Sequence, residues 1–397
     1  MSARLLLFTG KGGVGKTTLA AATSAALAAG GRKALVVSTD PAHSLGDAFG
    51  VTLGVEATEV DAGLHAAQVD PRALVDGSWR ELRGHLRTVL AGAGVDELAA
   101  EELTVLPGVE ELLALTEVRR LAVTGPWDVV VVDCGPTAET LRLLALPEAV
   151  GSYLERLFPT HRRVVRGLLA GLAGGAASVE RWDATADALG RLAERLDQLR
   201  GLLTSADTSV RLVLTPERVV AAETRRTVTA LALQGIRVDG VVANRLVPDP
   251  GGDTGQAAAW LRTRRTEQEA VLAALADLGP VRTVEHRAAE PVGVPALLAV
   301  ADALYRGADP LAGDGADEPL IAVDRVGDEY ELRLSLAVGD SDLDLARVGD
   351  DLAVTVDGRR RLIALPSLLR RCEVVGAELD DTGLAVRFRP DPDLWMR

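Results

Sequence analysis

The sequence predicts an α/β fold with a mostly parallel sheet and helical insertions, followed by a small all-β sandwich at its C-terminal end. Three observations predict it. Short Val/Leu runs such as residues 129–132 (VVVV) recur between helical stretches, the composition of strands buried on both faces of a parallel sheet. A glycine-rich loop, GKGGVGKTT, follows the first apolar strand and opens into a helix. Beyond residue 318 the apolar period changes to alternation, in short segments parted by Asp/Gly turns.

Taken in order, residues 4–9 (RLLLFT) read as the first strand, and a helical stretch runs from the loop to about Ala29. Residues 33–38 (KALVVS) and Trp127–Val132 give two further strands. Residues 210–215 and 238–243 give two more, with a helix from about 217 to 233 between them and another strand near 281–284. Helical insertions are expected at about 71–120 and 148–205. In the second, Leu189, Leu192, Leu196, Leu199 and Leu203 make one stripe of an amphipathic helix. That stripe either completes the core or forms, with the glycine-rich stretch 166–178, an exposed apolar surface for a client. Residues 1–305 thus make one domain, 306–318 (RGADPLAGDGADE) a linker, and 319–390 a β-sandwich expected to fold independently and to be dispensable for the chemistry of the first domain. Its strands carry Leu332, Leu334 and Leu336, then Leu352, Val354 and Val356, at alternating positions.

The composition excludes several classes. With 397 residues and 48% hydrophobic content, the chain can bury a large core and a small one. A net charge of -14 argues against nucleic acid, and against an anionic membrane except by indirect contact. The two cysteines, Cys134 and Cys372, exclude a disulfide scaffold and a cysteine-only zinc site within one chain, and are expected to be buried thiols. No apolar run is long enough to span a bilayer, and the first residues lack the regions of a signal peptide, so a cytoplasmic protein is expected.

Lysine is scarce: Lys11, Lys16 and Lys33 are the only three, against a background of arginine. Two of them stand in Gly10-Lys11-Gly12-Gly13-Val14-Gly15-Lys16-Thr17-Thr18, which fits the phosphate-loop template between a strand and a helix. Backbone N–H groups of Gly12, Gly13, Val14, Gly15 and Thr18 and the helix N-terminus suit phosphate oxygens, and a compact ammonium at Lys16 suits the β- and γ-phosphates of ATP. The Thr17 hydroxyl is the expected Mg²⁺ ligand, with Asp133 at the end of the VVVV strand as its acidic counterpart. Asp40, in STDPAHSL, stands where the second strand ends. It could cap a helix or orient and deprotonate an attacking water, and the neighbouring loop favours the water. Asn244, the only asparagine, follows the strand VDGVVA; it suits either a turn or the N6/N7 edge of adenine.

Together GKGGVGKTT, STDPAHSL with GDAF, PGVEELLALTEV, DCGPTAETLRLLALP and VVANRL resemble the ArsA ATPases, the family that includes the ATPases delivering tail-anchored membrane proteins. The resemblance covers residues 1–305 and implies a P-loop, Mg²⁺-dependent ATP hydrolase working as a nucleotide-gated homodimer. It implies catalytic roles for Asp40 on the water, Lys16, and Lys11, the signature lysine of the deviant Walker A loop, acting on the partner's phosphates; it sets Asn244 at adenine. Apolar protein clients, among them tail-anchored segments, and a chaperone-like role follow by the same resemblance. The sequence departs from the family after Asp133, where Cys134, Gly135, Ala138 and Glu139 replace the usual switch residues. The zinc-clamping CxxC pair is absent, so no zinc is expected, and so are the arsenite-binding cysteine cluster and the tandem second half of the pump ATPases. The tail resembles the small-heat-shock-protein (α-crystallin-like) domain. A slowly hydrolysing holdase or scaffold is the alternative reading, and an arsenite-efflux pump ATPase subunit a weaker one.

Overall fold

A computed structural model describes residues 3–40, 44–70, 109–134, 194, 197–278, 281–312, 321–334, 343–356, 359–380 and 383–392. In chain order the elements are β1 (Arg4–Thr9), α1 (Lys16–Ala29), β2 (Ala34–Ser38), α2 (Ser44–Phe49), β3 (Thr58–Asp61), β4 (Leu64–Gln68), α3 (Val109–Thr124) and β5 (Val129–Asp133). Then follow β6 (Thr208–Leu214), α4 (Arg218–Leu233), β7 (Val238–Leu246), α5 (Gln256–Ala273), β8 (Val281–Glu285) and α6 (Val294–Tyr305). The tail holds β9 (Ile321–Val326), β10 (Glu329–Leu334), β11 (Leu343–Val348), β12 (Asp351–Val356), β13 (Arg359–Ala364), β14 (Cys372–Asp380) and β15 (Gly383–Pro390). The expected insertions fall mainly on residues 71–108 and 135–193, outside the described residues, as do Pro41, Ala42, His43 and the switch residues Gly135, Ala138 and Glu139. Of the leucine stripe, Leu199 and Leu203 are described, and both are buried.

The chain forms two compact units, Met1–Thr208 with Ala289–Arg306, and Ser209–Ala288 with Gly307–Arg397. In the first, the strands run β3-β4-β2-β5-β1, parallel except for β3. Leu5, Leu6 and Phe8 of β1 and all four valines of β5 are buried, as strands covered on both faces require. Helix α1 carries Ala20, Ala21, Ala22 and Ala25 on its buried side, small residues that bring it close to the sheet. The return segment locks on it: Tyr305 of α6 meets Thr23 of α1 at 2.6 Å. Thr23 donates its one hydroxyl proton to the Leu19 carbonyl at 2.6 Å, so Tyr305 is the donor.

The second unit contains the parallel strands β6-β7-β8 and two antiparallel sheets, β14-β15-β10-β9 and β11-β12-β13. Leu332 pairs with Val386 and Leu352 with Ile363, and these four side chains are buried in one core with Leu334, Val354, Val356 and Phe388. That core also takes in Leu233, the last residue of α4. The chain leading to the sandwich is tied down as well. Arg211 of β6, fully buried, makes a two-pronged ion pair with Asp239 of β7 (Nη2–Oδ2 2.9 Å, Nε–Oδ1 3.1 Å) and donates to the Pro310 carbonyl at 3.0 Å. Arg282 of β8 donates to the Ala312 carbonyl at 3.1 Å. Among the described residues no helix is long and apolar enough to cross a membrane.

Candidate nucleotide site

The site grows from the junction of β1 and α1. Gly13 and Gly15 hold φ of 80° and 95°, the left-handed region where a side chain is strained, and that turn lets the loop wrap back over the helix start. A Cβ added at Gly12 or Gly13 would meet nothing within 4 Å, so the loop frames open space. No side chain caps α1, which leaves its first N–H groups for an anion. Lys16 is buried and its ammonium donates to the Lys11 carbonyl at 3.3 Å, while the Lys11 residue itself is exposed. Val14 is buried, and Thr17 and Thr18 are half-buried on the first turn.

Strand pairing delivers the carboxylate. In register, β5 lies between β1 and β2, with Asp133 opposite both Phe8 and Ser38. Asp133 Oδ2 accepts from Thr17 Oγ1 at 2.7 Å and from Ser38 Oγ at 3.0 Å. Thr17 has thereby used its proton, so its 3.2 Å contact with Ser44 is donated by Ser44. Asp133 Oδ1 is buried with no hydrogen-bond partner. Burial pushes the Asp133 carboxyl up to about 6, against the Thr17 and Ser38 hydrogen bonds and the Lys16 charge, which pull it down. A buried carboxylate with one orphaned oxygen, beside a threonine hydroxyl at a helix N-terminus, is an all-oxygen donor set that fits Mg²⁺.

Asp40 stands just beyond β2 and is anchored by its peptide. Its N–H donates to Ser38 Oγ at 3.2 Å and its carbonyl accepts from Gln68 Nε2 at 2.8 Å. The fold therefore gathers Lys16, Thr17, Asp133, Ser38 and the Asp40 backbone around one loop within the first unit. Asn244 belongs to the second unit and lies within β7, which runs on to Leu246, rather than after the strand; its Oδ1 accepts from the N–H of Arg245 at 2.9 Å, and Arg245 has a φ of 61°. Ser38, Ser44 and Gln68 received no role from the sequence. Gln68 stands at the carboxyl end of a strand, the edge where ligands bind in such sheets, but that place shows only once β4 is paired with β2. Cys372 is buried as expected, whereas Cys134 is half-buried; desolvation, then the neighbouring Asp133, pushes the Cys134 thiol up to about 12, and burial also raises that of Cys372.

Comparison with known proteins agrees with this geometry. Residues 3–306 match the anion-transporting ATPase family (ArsA), and residues 327–388 match the HSP20-like domain found in ArsA. A Mycobacterium tuberculosis protein is 41% identical over 419 residues, covering 99% of this chain and 97% of its own. A Chlorobaculum tepidum protein named for an arsenical pump-driving ATPase is 35% identical over 390 residues, covering 97% of this chain and 96% of its own. ATPase GET3 of Podospora anserina is 31% identical over 281 residues, 66% of this chain and 79% of its own. With the loop, the Asp133 cluster and these matches together, the chain belongs to the ArsA family of ATPases, enzymes that hydrolyse ATP, and carries that family's HSP20-like domain.

Proposed function

We propose that the protein is a Mg²⁺-dependent, nucleotide-gated homodimeric ATPase in the cytoplasm whose cycle binds and releases apolar protein clients. The observation that carries the nucleotide half is the Thr17–Asp133 contact of 2.7 Å with the second Asp133 oxygen orphaned beside it. Lys16 and the N–H groups of the loop hold the β- and γ-phosphates. Thr17 and Asp133 would hold Mg²⁺, which when bound would neutralise charge developing on the phosphates. Asp40 takes a proton from the attacking water, Lys11 reaches the partner's phosphates, and Asn244 reads adenine. The name GET3 on one relative supports protein clients, and so does the HSP20-like domain.

The arsenical name on another relative is less well matched by this chain. The chain has two cysteines, Cys134 and Cys372, far apart in sequence, and no cysteine cluster to hold a metalloid. Arsenite is therefore expected to leave turnover unchanged in a steady-state assay, whereas an apolar helical peptide alters it. The test of the metal site is a Mg²⁺ titration of ATP turnover: Thr17→Ala and Asp133→Asn both shift the half-saturating Mg²⁺ upward. An unshifted titration with either variant sinks the assignment.

A further inference from the structure

We infer that Gln68 is a positioning residue for ATP hydrolysis, acting through Asp40; the inference rests on the reading of Asp40 as the water-activating residue. Gln68 ends β4 and pairs in register with Ser38, the last residue of β2. The ladder runs one step past Ser38: the Val69 N–H donates to the Ser38 carbonyl at 2.9 Å and the Thr39 N–H to the Asp133 carbonyl at 3.0 Å, so it is the Asp40 carbonyl that takes its donor from a side chain. Gln68 Nε2 reaches the Ser38 carbonyl at 3.5 Å and the Asp40 carbonyl at 2.8 Å. The two acceptors are carbonyl oxygens, so the atom facing them must be the amide nitrogen, and the orientation of the side chain is fixed by chemistry.

The other end of the same peptide is held by Ser38, whose Oγ accepts the Asp40 N–H while donating to Asp133. Asp40 is therefore pinned on both sides of its α-carbon: through Ser38 to the Asp133 and Thr17 pair, and through Gln68 to the neighbouring strand. Gln68 is 3% exposed, and its Oε1 is buried without a hydrogen-bond partner. Burying a half-satisfied amide costs stability compared with an apolar residue of the same size. Position, rather than core packing, accounts for an amide here. A base displaced by about 1 Å loses on the order of 10²-fold in rate, so the pin matters for turnover and little for binding.

The experiment measures kcat, KM for MgATP and ATP affinity for Gln68→Leu, Asp40→Asn and the double variant. Gln68→Leu is expected to lower kcat about 10- to 100-fold, with KM and affinity within about twofold. In the Asp40→Asn background the same change is expected to remove less than about twofold more, because its effect passes through Asp40. An unchanged kcat, or losses that multiply, overturns the inference while leaving Asp40 in place. Near-normal turnover of Asp40→Asn itself overturns the Asp40 reading, and the inference with it. If Gln68→Leu does not fold, Gln68→Met is read by the same criteria, since it keeps the length of the side chain, adds no charge and removes the amide donor.

Discussion

At the residue scale the chain assigns separate tasks to lysines that composition alone would make equivalent. Lys16 is buried beneath the loop, whereas Lys11 lies exposed on it. Lys16→Ala is expected to abolish measurable ATP affinity by isothermal titration, because Lys11, the other lysine of the loop, is exposed and is read as serving the partner's phosphates. Asp40→Asn is expected to retain ATP binding but to slow hydrolysis by about 10²- to 10⁴-fold, the contribution of a positioned general base. Turnover near that of the unaltered protein would instead make Asp40 a helix cap. Residue types were the most legible layer of this protein. Lys11, Lys16, Thr17, Asp40 and Asp133 could each be singled out because a motif fixes what stands beside them. Gln68 and Ser38 could not, since their work depends on which strand lies next to which.

At the element scale, long apolar strands announced themselves and short or mixed ones did not. β1, β2 and β5 read directly from Leu and Val. β4 (LHAAQ) has one large apolar residue, and nothing in it marks a strand until it pairs with β2. β6 poses a sharper problem, because an arginine in the middle of a buried strand is unfavourable by itself. Its cost is met by Asp239 across the register shift, with Ser209 donating to the same carboxylate at 3.0 Å. Asp239→Ala, which leaves Arg211 buried and unpaired, is expected to cost about 3–5 kcal/mol in denaturant unfolding. Replacing both partners, Arg211→Met with Asp239→Leu, is expected to recover most of that loss. A single variant as stable as the unaltered protein would mean that water reaches the pair.

At the scale of the whole molecule two expectations concern assembly. If Lys11 acts on a partner's nucleotide, Lys11→Ala and Asp40→Asn chains are each poor alone, yet mixing them creates dimers in which one site keeps both residues. Part of the activity is then expected to return; no recovery despite demonstrated exchange of subunits counts against action in trans. The second concerns the tail. A chain ending at Asp317 retains the loop, Thr17, Asp40 and Asp133, so its ATPase rate is expected to persist while its suppression of client aggregation falls. It also uncovers Leu233, which is 4% exposed beneath the sandwich core, and burying a leucine contributes about 1.5–3 kcal/mol. A lowered unfolding temperature with preserved turnover is therefore the expected pair of results. Loss of nucleotide binding would make the sandwich part of the ATPase fold.

The amino-acid sequence by itself determined the α/β class, the all-β tail, the phosphate loop and the family, because each of these is written in residues adjacent along the chain. Glycines set the turn of the loop, runs of valine set buried strands, and alternation sets the half-buried strands of the sandwich. What only the tertiary structure decided is everything that depends on strand order. Setting β5 between β1 and β2 brings Asp133 to Thr17 and Ser38, more than ninety residues away in sequence. Setting β4 beside β2 gives the Asp40 carbonyl its donor. The physical reason is that parallel strands joined by long crossovers make contacts that no local pattern encodes. Hydrogen bonding and charge pairing at the carboxyl ends of those strands then follow from the register alone.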